Sequence, residues 1–229
     1  MLLIPWDELP AEMRVDEVRP YYDALRSRTA ALVAKRGLDI ALALLLMVPL
    51  LPIIAALAVA IKLESRGPVF FRQERVTQFG RRFRIFKLRS MVDNAERQGT
   101  QVTVSNDRRI TRVGALMRRL RLDEICQLFD VLRGTMTFVG TRPEVVKYVD
   151  RYTPEMLATL LLPAGITSEA SISYRDEDRL LDAADDPDEV YVRTILPAKM
   201  AYNLKELTEC GLRHDLSVML RTIRAVFLR

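Results

Sequence analysis

Residues that hold metals or cross-links are scarce in this chain of 229 residues, which has one histidine and two cysteines, Cys126 and Cys210. The cysteines stand 84 residues apart with no CxxC or Cys/His pairing. Neither a disulfide framework nor a zinc centre is indicated, and a reducing compartment fits. No internal repeat or low-complexity stretch is visible. Charge is missing altogether from Ile40 to Ile61, where 22 consecutive residues carry no charged or polar side chain. That run exceeds the roughly 18 residues that suggest a membrane helix. It begins well inside the chain, is too long for the apolar part of a secretory leader, and no small-residue cleavage site follows it.

Two prolines, Pro49 and Pro52, sit in the middle of the run. Each removes a backbone donor and crowds the carbonyl four residues earlier, so a sharp break is expected there. Each half would be about 13 Å long, near half of a hydrocarbon core about 30 Å thick. Such lengths suit entry into one leaflet and return. Arg26, Arg28, Lys35 and Arg36 precede the run, and Lys62, Arg66, Arg72 and Arg75 follow it. Both flanks therefore read as cytoplasmic. A kinked helix that spans the bilayer is the alternative, since proline is tolerated there. Asp39, close to Lys35 and Arg36 on a helix, is expected to pair with them at the interface.

The formal charge of +5 is modest but unevenly placed, because Arg66 to Arg121 holds 15 Lys/Arg against 4 Asp/Glu, a local +11. A strip this basic meets something anionic: phosphoester substrates, lipid head groups or nucleic acid. Val69 to Arg75 and Arg82 to Lys87 read as a hairpin around Thr77-Gln78-Phe79-Gly80. Its second strand alternates Arg82, Phe83, Arg84 and Ile85 and so separates a cationic face from an apolar one. From Arg108 to Leu122, apolar residues at helical spacing share a helix with arginines, which describes either a basic helix on a membrane surface or one with its stripe in the core. Further helices are expected at Pro154 to Leu162, about Val190 to Glu209, and Asp215 to Leu228.

The expected architecture is an α-dominated α+β fold. A membrane-proximal extension covers residues 1–34, a helix-break-helix 35–62, and a compact cytoplasmic domain with a small hairpin and amphipathic helices 63–229. Between the basic helix and the apolar pattern of Ile125, Leu128, Phe129 and Leu132 stands Asp123-Glu124. Adjacent carboxylates at a helix start often serve only as caps.

From Lys35 to about Phe227 the chain resembles the bacterial sugar transferase family, the monotopic phosphoglycosyl transferases. The resemblance rests on Lys35-Arg36 before a proline-broken apolar run, on Phe86-Lys87-Leu88-Arg89-Ser90-Met91, and on Leu122-Asp123-Glu124. It continues through Gln127-Leu128-Phe129-Asp130-Val131-Leu132-Arg133-Gly134, Phe138-Val139-Gly140-Thr141-Arg142-Pro143, Gly165-Ile166-Thr167 and Asp215. It implies that Asp123 attacks the sugar-linked phosphorus of a UDP-sugar and releases UMP, and that polyprenyl phosphate then attacks the acyl phosphate. It also implies support from Glu124, a requirement for Mg²⁺, and a re-entrant membrane element at the cytoplasmic face of the bacterial inner membrane.

A carboxylate is a poor match for an anionic diphosphate unless cations offset the repulsion. Mg²⁺ held by Asp123 and Glu124 would do so, as would the cations Lys87, Arg89 and Arg142, the last followed by Pro143. Arg175 and Asp215 complete the expected substrate-binding set, while His214 is placed outside the mechanism. The chain departs from the family pattern at Leu51, Cys126 and Thr141, and at Leu162-Pro163-Ala164 ahead of Gly165. Besides UDP-sugar and polyprenyl phosphate, the expected partners are an anionic bilayer and downstream glycosyltransferases, with no nucleic acid. The competing function is a non-catalytic membrane scaffold of the same fold.

Overall fold

A computed structural model describes residues 3–93, 95, 107–175, 177, 181 and 186–227. The chain begins with two short 3₁₀ turns and helix α1 (Arg19–Ser27), then enters α2 (Thr29–Glu64). Strands β1 (Phe70–Val76) and β2 (Arg82–Leu88) form the expected antiparallel hairpin. Its turn closes through left-handed backbone at Phe79 and Gly80. Helices α3 (Arg112–Arg119) and α4 (Gln127–Arg133) flank a 3₁₀ turn, Leu122–Glu124. Next come β3 (Met136–Val139), α5 (Val146–Val149), a 3₁₀ segment (Glu155–Leu161), β4 (Ala164–Thr167) and α6 (Glu169–Ser173). The chain finishes with α7 (Pro187–Val190), a π-helical turn (Tyr191–Ile195), α8 (Leu196–Glu209) and α9 (Leu212–Phe227). The protein is thus helix-rich with two small sheets. The parallel pairing of β3 with β4 was not legible as a sheet from the sequence.

Helix α2 runs as one 36-residue helix through Pro49 and Pro52, so the two halves are not separated by a non-helical break. The prolines still leave the carbonyls of Leu45 and Val48 without their usual intrahelical donors. By length and composition α2 is apolar enough to cross a membrane. Leu45 is 69% and Val48 73% exposed, which a soluble core helix would not allow.

One narrow stripe of α2 faces the body. Lys35, Asp39, Ala43, Met47, Ile54 and Ile61 are buried along it, at spacings that keep them on one side of a helix. Ala43 and Met47 pack with Ile85, Leu128 and Val131, whereas Ile54 and Ile61 pack with Leu88, Met117 and Cys126. Phe129 of α4 borders both groups, so the two halves of α2 converge on the same short helix.

The polar residues near the start of α2 clamp it to α4, β3 and α9. Lys35 Nζ donates to the Val139 carbonyl at 2.9 Å and pairs with Asp215 at 2.5 Å. Arg36 donates to the carbonyls of Val131 and Leu132. Asp39 takes its hydrogen bonds from the Thr137 hydroxyl at 2.7 Å and the Phe138 N–H at 3.2 Å, not from Lys35 or Arg36. The edge of a two-stranded sheet offers an otherwise unpaired N–H there, and a buried carboxylate is best satisfied by such fixed donors. At the other end of α2, Glu64 accepts from the N–H groups of Arg112 and Val113 and so ties it to α3.

The N-terminal residues pack into the body as well as preceding α2. Leu9, Met13, Val18, Tyr22 and Leu25 share a cluster with Ala158, Leu160, Leu161, Leu162 and Leu207. Helix α3 is shorter than its sequence pattern. Met117 is fully buried while Leu116 is 47% exposed, so its apolar stripe is divided between core and surface.

Candidate active site

Strand alternation brings Lys87 inward. Phe83, Ile85 and Lys87 share one face of β2, and Ile85 on that face is 3% exposed. Arg142 arrives from the loop after β3. Gly140 N–H donates to the Thr167 carbonyl at 2.9 Å, and Gly165 N–H to the Thr141 carbonyl at 2.8 Å. A Cβ on Gly165 would fall 2.1 Å from the Gly140 oxygen, so only glycine lets these two chains approach closely enough to fix Arg142.

The acidic turn is set by its neighbour. Arg121 adopts φ 55°, ψ 22°, a left-handed conformation that costs a non-glycine residue on the order of 1 kcal/mol. It redirects the chain after α3 so that Leu122–Glu124 turns inward. Lys87 Nζ lies 2.8 Å from Glu124 Oε1. Arg142 engages both oxygens of Glu124, through Nη2 to Oε1 and through Nη1 to Oε2 at 3.3 Å. The Glu124 side chain is 10% exposed. Burial pushes its carboxyl up, but Arg142 and Lys87 outweigh that and hold it well below the usual carboxylate range.

Asp123 has the opposite character. It is 7% exposed, and its Oδ1 has no hydrogen-bond partner. Burial raises its pKa, the charge on Glu124 raises it further, and Lys87, Arg118 and Arg121 pull it back in part. The pair therefore divides into a strong acid locked between two cations and a weaker acid with a spare oxygen, which suits a general base or nucleophile. Lys87 is itself lowered, chiefly by burial.

Other expected residues are placed elsewhere. Arg89, 5% exposed, donates to the carbonyls of Ser65 and Arg66 and to the Ser65 hydroxyl, where it caps the end of α2. Asp215 is joined to Lys35, and Arg175 donates to the Ala225 carbonyl of α9 at 3.3 Å. The Pro143 carbonyl accepts from Arg75 Nη1 at 3.1 Å. His214 faces Glu206 at 3.3 Å, away from the carboxylate pair. The structure thus brings together Asp123, Glu124, Lys87 and Arg142, with Pro143 adjoining.

Sequence reasoning missed Arg75 and the residues behind it. Tyr191 donates to Glu144, Lys199 pairs with Glu177 at 3.0 Å, and burial lowers the Arg75 pKa while Glu144 supports its charge. The signal available was the buried-type pattern of α8, where Lys199 and Asn203 fall on the apolar side.

Among the described residues no group of three or more His, Cys, Asp or Glu side chains could hold a metal alone. The spare Oδ1 of Asp123 suits a cation shared with a phosphate ligand, whereas both Glu124 oxygens are committed to Arg142 and Lys87.

A strand-held lysine and a loop-held arginine thus surround a buried Asp-Glu pair in a chain that also carries a long apolar helix. Residues 30–229 match the model of the bacterial sugar transferase family, and the chain belongs to it. It is 37% identical over 84% of its length to a UDP-N-acetylgalactosamine-undecaprenyl-phosphate N-acetylgalactosaminephosphotransferase of Aeromonas hydrophila, of which it covers 43%. It is 33% identical over 93% of its length to a UDP-glucose:undecaprenyl-phosphate glucose-1-phosphate transferase of Escherichia coli, covering 44% of that protein. A protein of the same description from Caulobacter vibrioides is 34% identical over 86% of the chain and covered to 70%. The chain therefore spans less than half the length of the first two relatives.

Proposed function

We propose that this protein transfers a sugar 1-phosphate from a UDP-sugar to polyprenyl phosphate, undecaprenyl phosphate being the natural acceptor, and releases UMP. In the first step a carboxylate oxygen of Asp123 attacks the sugar-linked phosphorus, and the bond from that phosphorus to the oxygen of UMP breaks. In the second, an oxygen of polyprenyl phosphate attacks the same phosphorus. The acyl-phosphate bond breaks, Asp123 regains its carboxylate, and polyprenyl diphosphate-sugar leaves. The observation that carries this reading is the contrast within the pair: Glu124 is neutralised by Arg142 and Lys87, while Asp123 beside it is buried, weakly acidic and unpartnered at Oδ1. The names of the relatives support the same substrates.

Bound Mg²⁺ would neutralise charge on the diphosphate, and of the pair Asp123, with its unpartnered Oδ1, is the better placed to supply it a protein oxygen. The position is the cytoplasmic face of a bacterial inner membrane, with α2 entering and leaving on one side. Basic residues on both flanks of α2, and the packing of both its halves against α4, support that arrangement. Such a reaction would open a surface glycan pathway and hand its product to downstream glycosyltransferases.

Incubating the purified protein with a panel of UDP-sugars, polyprenyl phosphate and Mg²⁺ is expected to release UMP with at least one sugar. Without the acceptor, release should stop near one UMP per protein, and a chelator should suppress it. Absence of UMP with every UDP-sugar overturns the reading.

The pH dependence follows from the same carboxylates. Asp123 acts ionised, so activity is present above its pKa and lost as pH falls through it. Because burial raises that pKa from 3.8, the acid limb should lie above the ordinary aspartate value. Lys87 lowers the pKa of Asp123, so Lys87→Met is expected to move the acid limb of kcat/KM to higher pH as well as reducing the plateau. An unmoved limb would mean that Asp123 is not the group titrating.

A further inference from the structure

Gln127, in the first turn of α4, is 1% exposed, yet neither its Nε2 nor its Oε1 has a hydrogen-bond partner. Among the described residues no other side chain leaves both a buried donor and a buried acceptor unmet. A buried amide in that condition destabilises the fold, since it gives up its bonds to water and gains none. Such groups in native proteins call for an explanation, and active sites are where they concentrate.

The location supplies one. Ile125 and Cys126 have right-handed helical angles that join the turn Leu122–Glu124 to α4, so the backbone from Asp123 to Gln127 follows one helical path. The i→i+3 hydrogen bonds from Glu124 N–H to Arg121, Ile125 N–H to Leu122 and Leu128 N–H to Ile125 make that path 3₁₀-like, so Gln127 stands just over one turn beyond Asp123. The other unmet buried atom in this segment is Asp123 Oδ1. Two buried groups in one short segment that both lack a partner call for one that arrives from outside the chain and spans the turn between them.

We infer that Gln127 is a substrate-contacting residue. Its Nε2 donates to a non-bridging oxygen of the phosphoryl group that Asp123 receives, and its Oε1 accepts from a hydroxyl of the attached sugar. This rests on the phosphoryl-transfer reading given above. A neutral amide has two advantages here: it offers a donor and an acceptor together, and it neither titrates nor adds a third cation beside Lys87 and Arg142. Leucine at this position would fill a similar volume and pack without penalty, so the amide is explained by use and not by stability.

The test compares Gln127→Leu and Gln127→Glu with the wild type, reading melting temperature, the single-turnover rate of UMP release and its pH profile. Gln127→Leu should melt at or above the wild-type temperature and release UMP roughly tenfold to hundredfold more slowly, the loss expected for one donor to a developing phosphoryl charge. Its acid limb should stay in place. Gln127→Glu, which sets a carboxylate against the phosphoryl oxygen, should be slower still. A Gln127→Leu protein that melts lower shows that the amide holds up the fold, and one that reacts at the wild-type rate shows that it touches no substrate; either overturns the inference alone. A wild type that releases no UMP overturns the inference together with the reading on which it rests.

Discussion

Asp123→Asn is expected to reduce UMP release by roughly 10³-fold or more while leaving the melting temperature unchanged or raised. The two effects come from one observation. In the folded protein the Asp123 carboxyl is buried beside the charge of Glu124, and its Oδ1 has no donor. Ionising it there is costly, so the uncharged amide of nearly the same shape removes a repulsion and breaks no hydrogen bond at Oδ1. Chemistry responds in the opposite sense, because the amide oxygen is a poor nucleophile towards phosphorus and cannot carry the sugar phosphate to the acceptor. A thermal melt and a UMP assay on the same preparation check both halves. Substantial turnover would remove the covalent step, and a large drop in melting temperature would show that Asp123 holds the fold together.

Much of this arrangement could be read from the residues. The hairpin was legible because Arg82, Phe83, Arg84 and Ile85 alternate, and the same alternation, carried two residues on, delivers Lys87 to the inside face. The Asp123-Glu124 pair and Arg142 were legible through their motifs, and Gly140 and Gly165 mark the close backbone approach that fixes Arg142. Partners chosen by tertiary packing were not legible. Arg89 lies in the same motif as Lys87, yet it stands one residue past the end of β2 and caps the carbonyls of Ser65 and Arg66. Asp39 lies within reach of Lys35 and Arg36 in helical spacing, yet the edge of β3 outcompetes both for its hydrogen bonds. The β3–β4 pair comprises two four-residue strands joined across a long connection, and nothing local in Met136–Val139 requires Ala164–Thr167 as its neighbour. Local pattern reports which face a side chain occupies, and long-range packing decides what it meets there.

Glu124→Gln is expected to cost both activity and stability, in contrast to the substitution next to it. Glu124 accepts from Lys87 at 2.8 Å and from both Nη atoms of Arg142, with the three side chains 10%, 19% and 29% exposed. The amide leaves two cations in a poorly hydrated site without the carboxylate that both contact, and its own NH₂ points a donor at one of them. Breaking a partly buried pair of this kind costs about 2–4 kcal/mol, which in a chain of this size lowers the melting temperature by roughly 5–15 °C. Activity should fall to a trace, because Lys87 and Arg142 are no longer held by Glu124, while Asp123 loses the neighbouring charge that raises its pKa. That last effect gives a signature that instability alone cannot imitate: in whatever activity survives, the acid limb should move to lower pH, opposite to its movement in Lys87→Met. Opposed shifts would locate the titrating group within the field of both Glu124 and Lys87, which is where Asp123 stands. Limbs that move the same way would assign the titration to another residue and would leave Asp123 without its proposed role.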